Sequence, residues 1–445
     1  MARSRTTWWR WLAGGLAVIV IAALAVPFVV PLARFIPQIT RVASEKLGQP
    51  VAISALRLQL LPVPGVTISG LTVGRHAEIA IASAEVRPAL LAWLAGHKVI
   101  DEISADKVRV REAAIKMIET LPKSQGGGEP VLVRRVVLRQ VKFEHAGLQL
   151  PEFDLDVALA PGLGVERALL KTRDGALQVA VTPQSAQEAK VDLAARKWRL
   201  PVAAAPLAFD SLEARGALDK GGVQLPRIDG RLYGGTLAGN ARIEWARGWR
   251  LAGKADVSRI NLAPVEQALG KPVKLTGRLS GNASFSSHAR SAGELGKALA
   301  LDAPFRVDGG EYHGIDLSRV AELPLGKLAP GGGTRFDELR GVLALRGKRV
   351  RISAICAKSS VLVAAGHVEI APDQKLSGKL DVSIAKTKGY VGVPVELAGT
   401  TSDPSVKLTT GATIGAVLGT VLLPGIGTTL GASAGGTLEG KAECK

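Results

Sequence analysis

The chain has 445 residues and a formal net charge of +18, with 47% apolar residues but only 4% aromatics, 51 glycines and two cysteines. That length allows several domains or one elongated one, two cysteines exclude a disulfide framework, and so few aromatics fit poorly with the core of a compact enzyme. The charge either faces an anionic neighbour such as lipid headgroups or is solvated surface charge. Nucleic acid is not indicated, because Lys and Arg are spread out, with no zinc-knuckle spacing, aromatic RNA-binding run or basic helix.

Residues 11–33 are uncharged and lie between Arg10 and Arg34. As a helix this run is roughly 35 Å long, enough to cross a hydrocarbon core of about 30 Å. Trp8, Trp9, Arg10 and Trp11 stand at its leading edge, where amphipathic rings favour the headgroup region. The run exceeds a signal-peptide core of about 7–15 residues and no small-x-small cleavage site follows it. It is therefore read as an uncleaved transmembrane anchor over 11–35. Arg3, Arg5 and Arg10 place residues 1–10 in the cytoplasm, against the opposing Arg34, Arg41 and Lys46.

Residues 38–47 continue as a short amphipathic helix with Ile39, Val42, Ala43 and Leu47 on one side. The period then changes to two. Val51, Ile53 and Ala55, then Leu56, Leu58 and Leu60, predict strands, with Val66, Ile68, Leu71 and Val73 resuming after a Pro/Gly turn. Short helical pieces are predicted over 88–98 and 112–121. The glycine run in 124–130 predicts a linker closing a first region, 36–123.

A second region, 131–406, reads as a succession of one-sided strands. Its apolar positions are Val141; Phe153, Leu155 and Val157; Leu177, Val179 and Val181 after the hairpin dipeptide Asp174-Gly175; Ile243; Leu343 and Leu345; Val361 and Val363; Leu380, Val382 and Ile384. These faces either close on one another in a sandwich or barrel, or stay open for a ligand, in which case these residues line the groove; periodicity leaves both open. Helical inserts are predicted over 263–269, 293–299 and 317–328, and a loop over 331–333. At 410–440, Gly411, Gly415 and Gly419, then Gly427, Gly431 and Gly435, recur every fourth residue about Pro424-Gly425, which predicts a glycine-zipper helical hairpin.

No catalytic residues, metal site or cofactor site emerge. The six histidines are scattered, and there is no G-x-S-x-G elbow or P-loop. Asp154 with Asp156, and Glu311 with His313, read as solvated outer-face neighbours on strands. Cys356 and Cys444 read as separate small thiols, although an oxidising compartment would let them pair.

Four segments and the tail together carry a resemblance. They are LGQPVAISALRLQLLPVPGVTISGLTVG (47–74), LYGGTLAG (232–239), FRVDGGEYHGIDL (305–317), TTSDPSV (400–406) and the Gly-rich stretch 410–436. In this order they resemble the AsmA family. The resemblance implies a mainly β protein: a chorein-like start, then an elongated curved antiparallel sheet with a hydrophobic groove. It also implies a single-pass inner-membrane protein of a Gram-negative envelope, with its bulk in the periplasm. Its partners would be phospholipids, the inner membrane and outer-membrane or envelope proteins, and its role lipid transport and outer-membrane biogenesis. The alternative is a periplasmic scaffold or chaperone for outer-membrane β-barrel assembly, using exposed strand edges.

Overall fold

The computed structural model describes residues 32–59, 64–119, 131–144, 150–161, 164–201, 207–317, 327–328, 331–386, 389–410 and 444. The predicted anchor up to residue 31, with Trp8, Trp9, Arg10 and Trp11, lies outside the described residues. So do the linker 124–130 and the glycine series Gly411 to Gly435. Among the described residues no helix is long and apolar enough to cross a membrane. These residues are mainly β, and the chain divides into two compact units, Met1–Ala189 and Lys190–Lys445.

The first unit opens with α1 (Ile36–Leu47), which carries a proline in its first turn and stops at Gly48, whose φ of 61° is left-handed. Its Ile36, Thr40, Ala43 and Leu47 side is half-buried, whereas Phe35, Ile39 and Val42 are exposed. Strands β1 (Val51–Ala52) and β2 (Ala55–Gln59) both pair with β3 (Gly65–Val73), which is followed antiparallel by β4 (Ile79–Pro88). The short helix α2 (Leu90–Leu94) leads into β5 (Val99–Arg111), antiparallel to β4.

At β5 the structure departs from the expected all-antiparallel sheet, because β5 and β6 (Leu132–Glu144) run parallel. Parallel neighbours need a crossover of about a dozen residues or more. Residues 112–131 supply it, beginning with α3 (Glu112–Glu119). The segment 124–130 thus joins two strands of one sheet, and the units divide at Ala189 instead. β7 (Phe153–Leu159), β8 (Val165–Thr172) and β9 (Leu177–Pro183) follow antiparallel. The Asp174-Gly175 turn is held from inside: Thr172 Oγ1 donates to Asp174 Oδ1 at 2.6 Å and accepts from Leu177 N at 2.9 Å.

After β10 (Glu188–Arg199), β11 (Ala208–Asp219), β12 (Gly222–Leu232), β13 (Gly235–Glu244) and β14 (Trp249–Asn261) form a meander in the second unit. Tyr233 and Gly234, at φ 49° and 77°, form the two-residue turn joining β12 and β13, as a type I′ hairpin requires. The Tyr233 hydroxyl also accepts a hydrogen bond from Ala208 N at 3.0 Å. Asn261 caps α3's successor, α4 (Leu262–Ala268), by accepting from Ala263 N. β15 (Arg278–Ala289), β16 (Ala300–His313), β18 (Gly333–Arg346), β19 (Arg349–Lys358), β20 (Leu362–Ile370), β21 (Leu376–Lys386), β22 (Gly389–Gly399) and β23 (Pro404–Leu408) continue antiparallel.

Three local expectations are corrected here. Lys327–Leu328, read as helical, is a strand (β17) paired with Val406 and Lys407. Gly333, read as loop, begins β18, because Gly333 pairs opposite His313. Cys356 and Cys444, read as separate thiols, are disulfide-bonded with Cα atoms 5.3 Å apart.

The second unit closes at its C-terminal end. Ile315, Leu362, Ala364, Leu380, Val382, Val393, Val395, Leu397 and Val406 form one buried cluster, and Val382, Val395 and Val406 are fully shielded. Elsewhere the strands carry single residues in left-handed conformation: Lys107, Gln140, Arg259 and Ala354 all have φ between 50° and 57°. Gln140, Arg259 and Ala354 each insert one extra residue against a partner strand, whereas Lys107 keeps its register with β4 and β6; in each case the same face resumes after the left-handed residue. Ala105 and Val108 are therefore both buried in one cluster despite odd spacing, and so are Leu138 and Val141 packed together.

Candidate functional site

Strand register lines up apolar side chains across each unit. In the first, Leu56, Ile68, Ala84, Ala105, Leu138, Leu155, Leu170 and Val179 occupy successive partnered positions from β2 to β9. At about 4.8 Å per strand this row is roughly 34 Å long. In the second, Leu225, Ala241, Gly253, Phe285, Leu301, Leu345, Val350, Ile370 and Leu376 do the same from β12 to β21. Every member of this second row is half-buried and none is fully shielded. Side chains in the interior of a sandwich lose nearly all their exposure; these do not.

The opposite face is polar. Asn240, Lys254, Ser284, Asp302, Ala344, Arg351 and Glu369 partner one another in sequence across the same strands. Arg346 Nη2 donates to both carboxylate oxygens of Asp302 at 2.8 Å, and Arg351 Nη2 donates to Glu369 Oε2 at 3.1 Å. In the first unit Arg87 lies between Glu85 and Glu102, and Arg135 makes a two-pronged contact with Asp156 at 2.9 and 2.6 Å. The Arg135 hydrogen bond holds the Asp156 carboxyl below the usual carboxylate range, against a smaller opposing effect of burial. Such exposed pairs are worth about 0–1 kcal/mol each. Their consequence is a solvated outer face rather than a second hydrophobic layer.

The residues predicted to line a groove fall unevenly on this frame. Phe153, Leu155, Val157, Val179, Val181, Ile243, Leu343 and Leu345 are half-buried, and register places them on the apolar face. Val141 and Leu177 are on that face but buried, at 3% and 9% exposure. Leu380 and Val382 belong to the closed C-terminal cluster, which leaves them no open surface. Ile384 partners Leu362 in the register. Val361 and Val363 are corrected. Val361 precedes β20 and is 53% exposed, and Leu362 and Ala364 point into the cluster instead. The residues that extend the face and that alternation alone misses are Phe285, Leu301, Val350 and Ile370, identified by register.

The polar neighbours singled out above serve the sheet. Asp154 accepts from the bulged Gln140 N at 2.8 Å, and Glu311 stands 3.5 Å from His313 and 3.1 Å from Arg335. Among the described residues no three metal-ligating side chains lie together. Burial raises the pKa of the Tyr312 hydroxyl, with a smaller push from Glu266.

A protein built this way belongs to the class of one-faced β-sheet proteins that leave much of their apolar side for something other than their own core. Residues 166–346, a span that contains LYGGTLAG and FRVDGGEYHGIDL, match the family model described as the AsmA family, and this match supports assigning the chain to that family. The match and the open face fit a lipid-related envelope role in general. No curated protein and no solved structure matches the chain.

Proposed function

We propose that the chain is an inner-membrane-anchored, non-enzymatic periplasmic protein that carries phospholipid acyl chains on its apolar sheet face and supports lipid traffic between the envelope membranes. The observation that carries this reading is the half-exposed row from Leu225 to Leu376, nine partnered positions wide. Transfer out of water is worth about 0.8 kcal/mol per methylene, so an acyl chain of some fifteen methylenes gains on the order of 10 kcal/mol from such a surface. Aliphatic side chains with few hydrogen-bonding groups provide it without fixing one ligand geometry. The disulfide supports an oxidising compartment, where such bonds persist.

The test is side-specific photo-crosslinking in cells. A photoreactive residue at Leu301, on the apolar row, is expected to capture phospholipid, whereas one at Lys254, on the polar row, is not. Equal capture at both positions, or capture only of β-barrel precursors at Leu301, would count against lipid carriage.

A further inference from the structure

The first unit concentrates exposed apolar groups at one end of its sheet. Leu91 is 85% exposed, Leu90 48%, Trp93 49% and Val131 41%. The first three occupy α2, between β4 and β5. Val131 directly precedes Leu132, which partners Val99, the first residue of β5. The same end holds Gly65, whose backbone lies beside Val86 and whose β2 partner is Gln59. α2 is not a loose turn, because Trp93 Nε1–H donates to Val99 O at 2.6 Å and His97 N donates to Ala92 O at 2.8 Å. A fixed tip thus presents two leucines and an indole to the surroundings, at a cost a water-facing loop has no reason to bear.

The path of the chain indicates what covers this tip. The turn Leu32–Phe35 lies beside β2, whereas α1 lies beside β1, next to which Gly74 N bonds to Pro50 O. The apolar run 11–31 therefore joins the unit beside β2, the strand that ends at Gln59. Phe35, exposed at 43%, marks that entry.

We propose that the tip formed by Leu90, Leu91, Trp93 and Val131 inserts into the interface of the bilayer that the N-terminal run enters. This rests on the anchoring stated under the proposed function and deepens it. Leucine and tryptophan suit that depth, where a ring and aliphatic groups are buried while backbone and indole polar groups stay satisfied. The insertion holds the end of β4, β5 and β6 on the membrane. Acyl chains then pass from the bilayer to the apolar row, which begins on the adjacent β2 and β3, without crossing water.

The experiment uses the full chain reconstituted in phospholipid vesicles. Leu91→Cys carries an environment-sensitive fluorophore, the native cysteines being paired with each other. Arg227→Cys, at a side chain 79% exposed in the second unit, is the reference. Flotation first reports whether the chain enters the vesicles. Expected are flotation, a blue-shifted emission at position 91 and loss of most of that emission to lipids spin-labelled near the headgroup, with neither change at 227. Flotation with a water-like emission at 91 overturns the insertion and leaves the anchor standing. Flotation with a blue shift that the spin-labelled lipids do not quench means a protein covers the tip, and also overturns it. A chain that does not float overturns both the anchor and the insertion.

Discussion

Thr172 shows how much one buried hydroxyl holds in a sheet with little second layer. It is 3% exposed, donates to Asp174 and satisfies the backbone N–H of Leu177. Thr172→Val keeps the shape and removes both bonds, so it should cost about 1–3 kcal/mol, read as a lower urea midpoint. Asp174 adds a pH signature. Its hydrogen bonds to Thr172 and then to Ala176 N hold its pKa below the ordinary carboxylate value. A depressed carboxyl contributes stability that is present above the unfolded-state pKa of about 4 and lost as pH falls through the folded-state value. Asp174→Asn should therefore lower the urea midpoint at pH 7, and the gap to the wild type should close at acid pH. A gap that stays constant down to acid pH would assign the turn's stability to geometry rather than charge.

At the scale of a strand, single left-handed residues decide which side their neighbours face. Lys107 is exposed and left-handed, a conformation costing an L-residue about 1–2 kcal/mol. Lys107→Gly should raise stability by up to about 1 kcal/mol, part of the relief being offset by glycine's greater chain entropy. Lys107→Val should lower it by at least about 1 kcal/mol, because β-branching fits that region poorly. Deleting Lys107 should be far worse, since it would turn Val108 and Val110 to the charged side; the expected readout is loss of soluble, cooperatively melting protein. This is also where the sequence stops being legible. Alternation in Phe153–Leu159 shows the strand and its apolar side without help, since Asp154 and Asp156 mark the other side. In VLVAA, beginning at Val361, every residue is apolar, so nothing local tells Val361 from Leu362. Lys107, Gln140 and Ala354 are not glycine, and their left-handed turns come from the neighbouring strands. The parallel pairing of β5 with β6 depends likewise on a crossover that no short-range pattern announces.

For the molecule as a whole, the two units differ in how they are closed. The second has a dry cluster around Val382, Val395 and Val406 and a disulfide tying Cys444 to β19, 88 residues earlier in the chain. Cross-links over loops of that length contribute about 2–4 kcal/mol, largely by restricting the unfolded chain. Replacing both cysteines by alanine, or reducing the bond, should therefore lower the melting temperature of the second unit. The first unit contains no cysteine, so its transition should not move; calorimetry resolving two transitions makes the comparison direct. The same bond tests where the protein resides. A disulfide between a 3%-exposed Cys356 and Cys444 should persist in protein taken from the envelope under alkylating conditions, with no thiol left to titrate after denaturation. Two alkylated thiols in protein from intact cells would place the second unit in a reducing compartment. The apolar face would then have to serve an occupant other than lipid moving between envelope membranes.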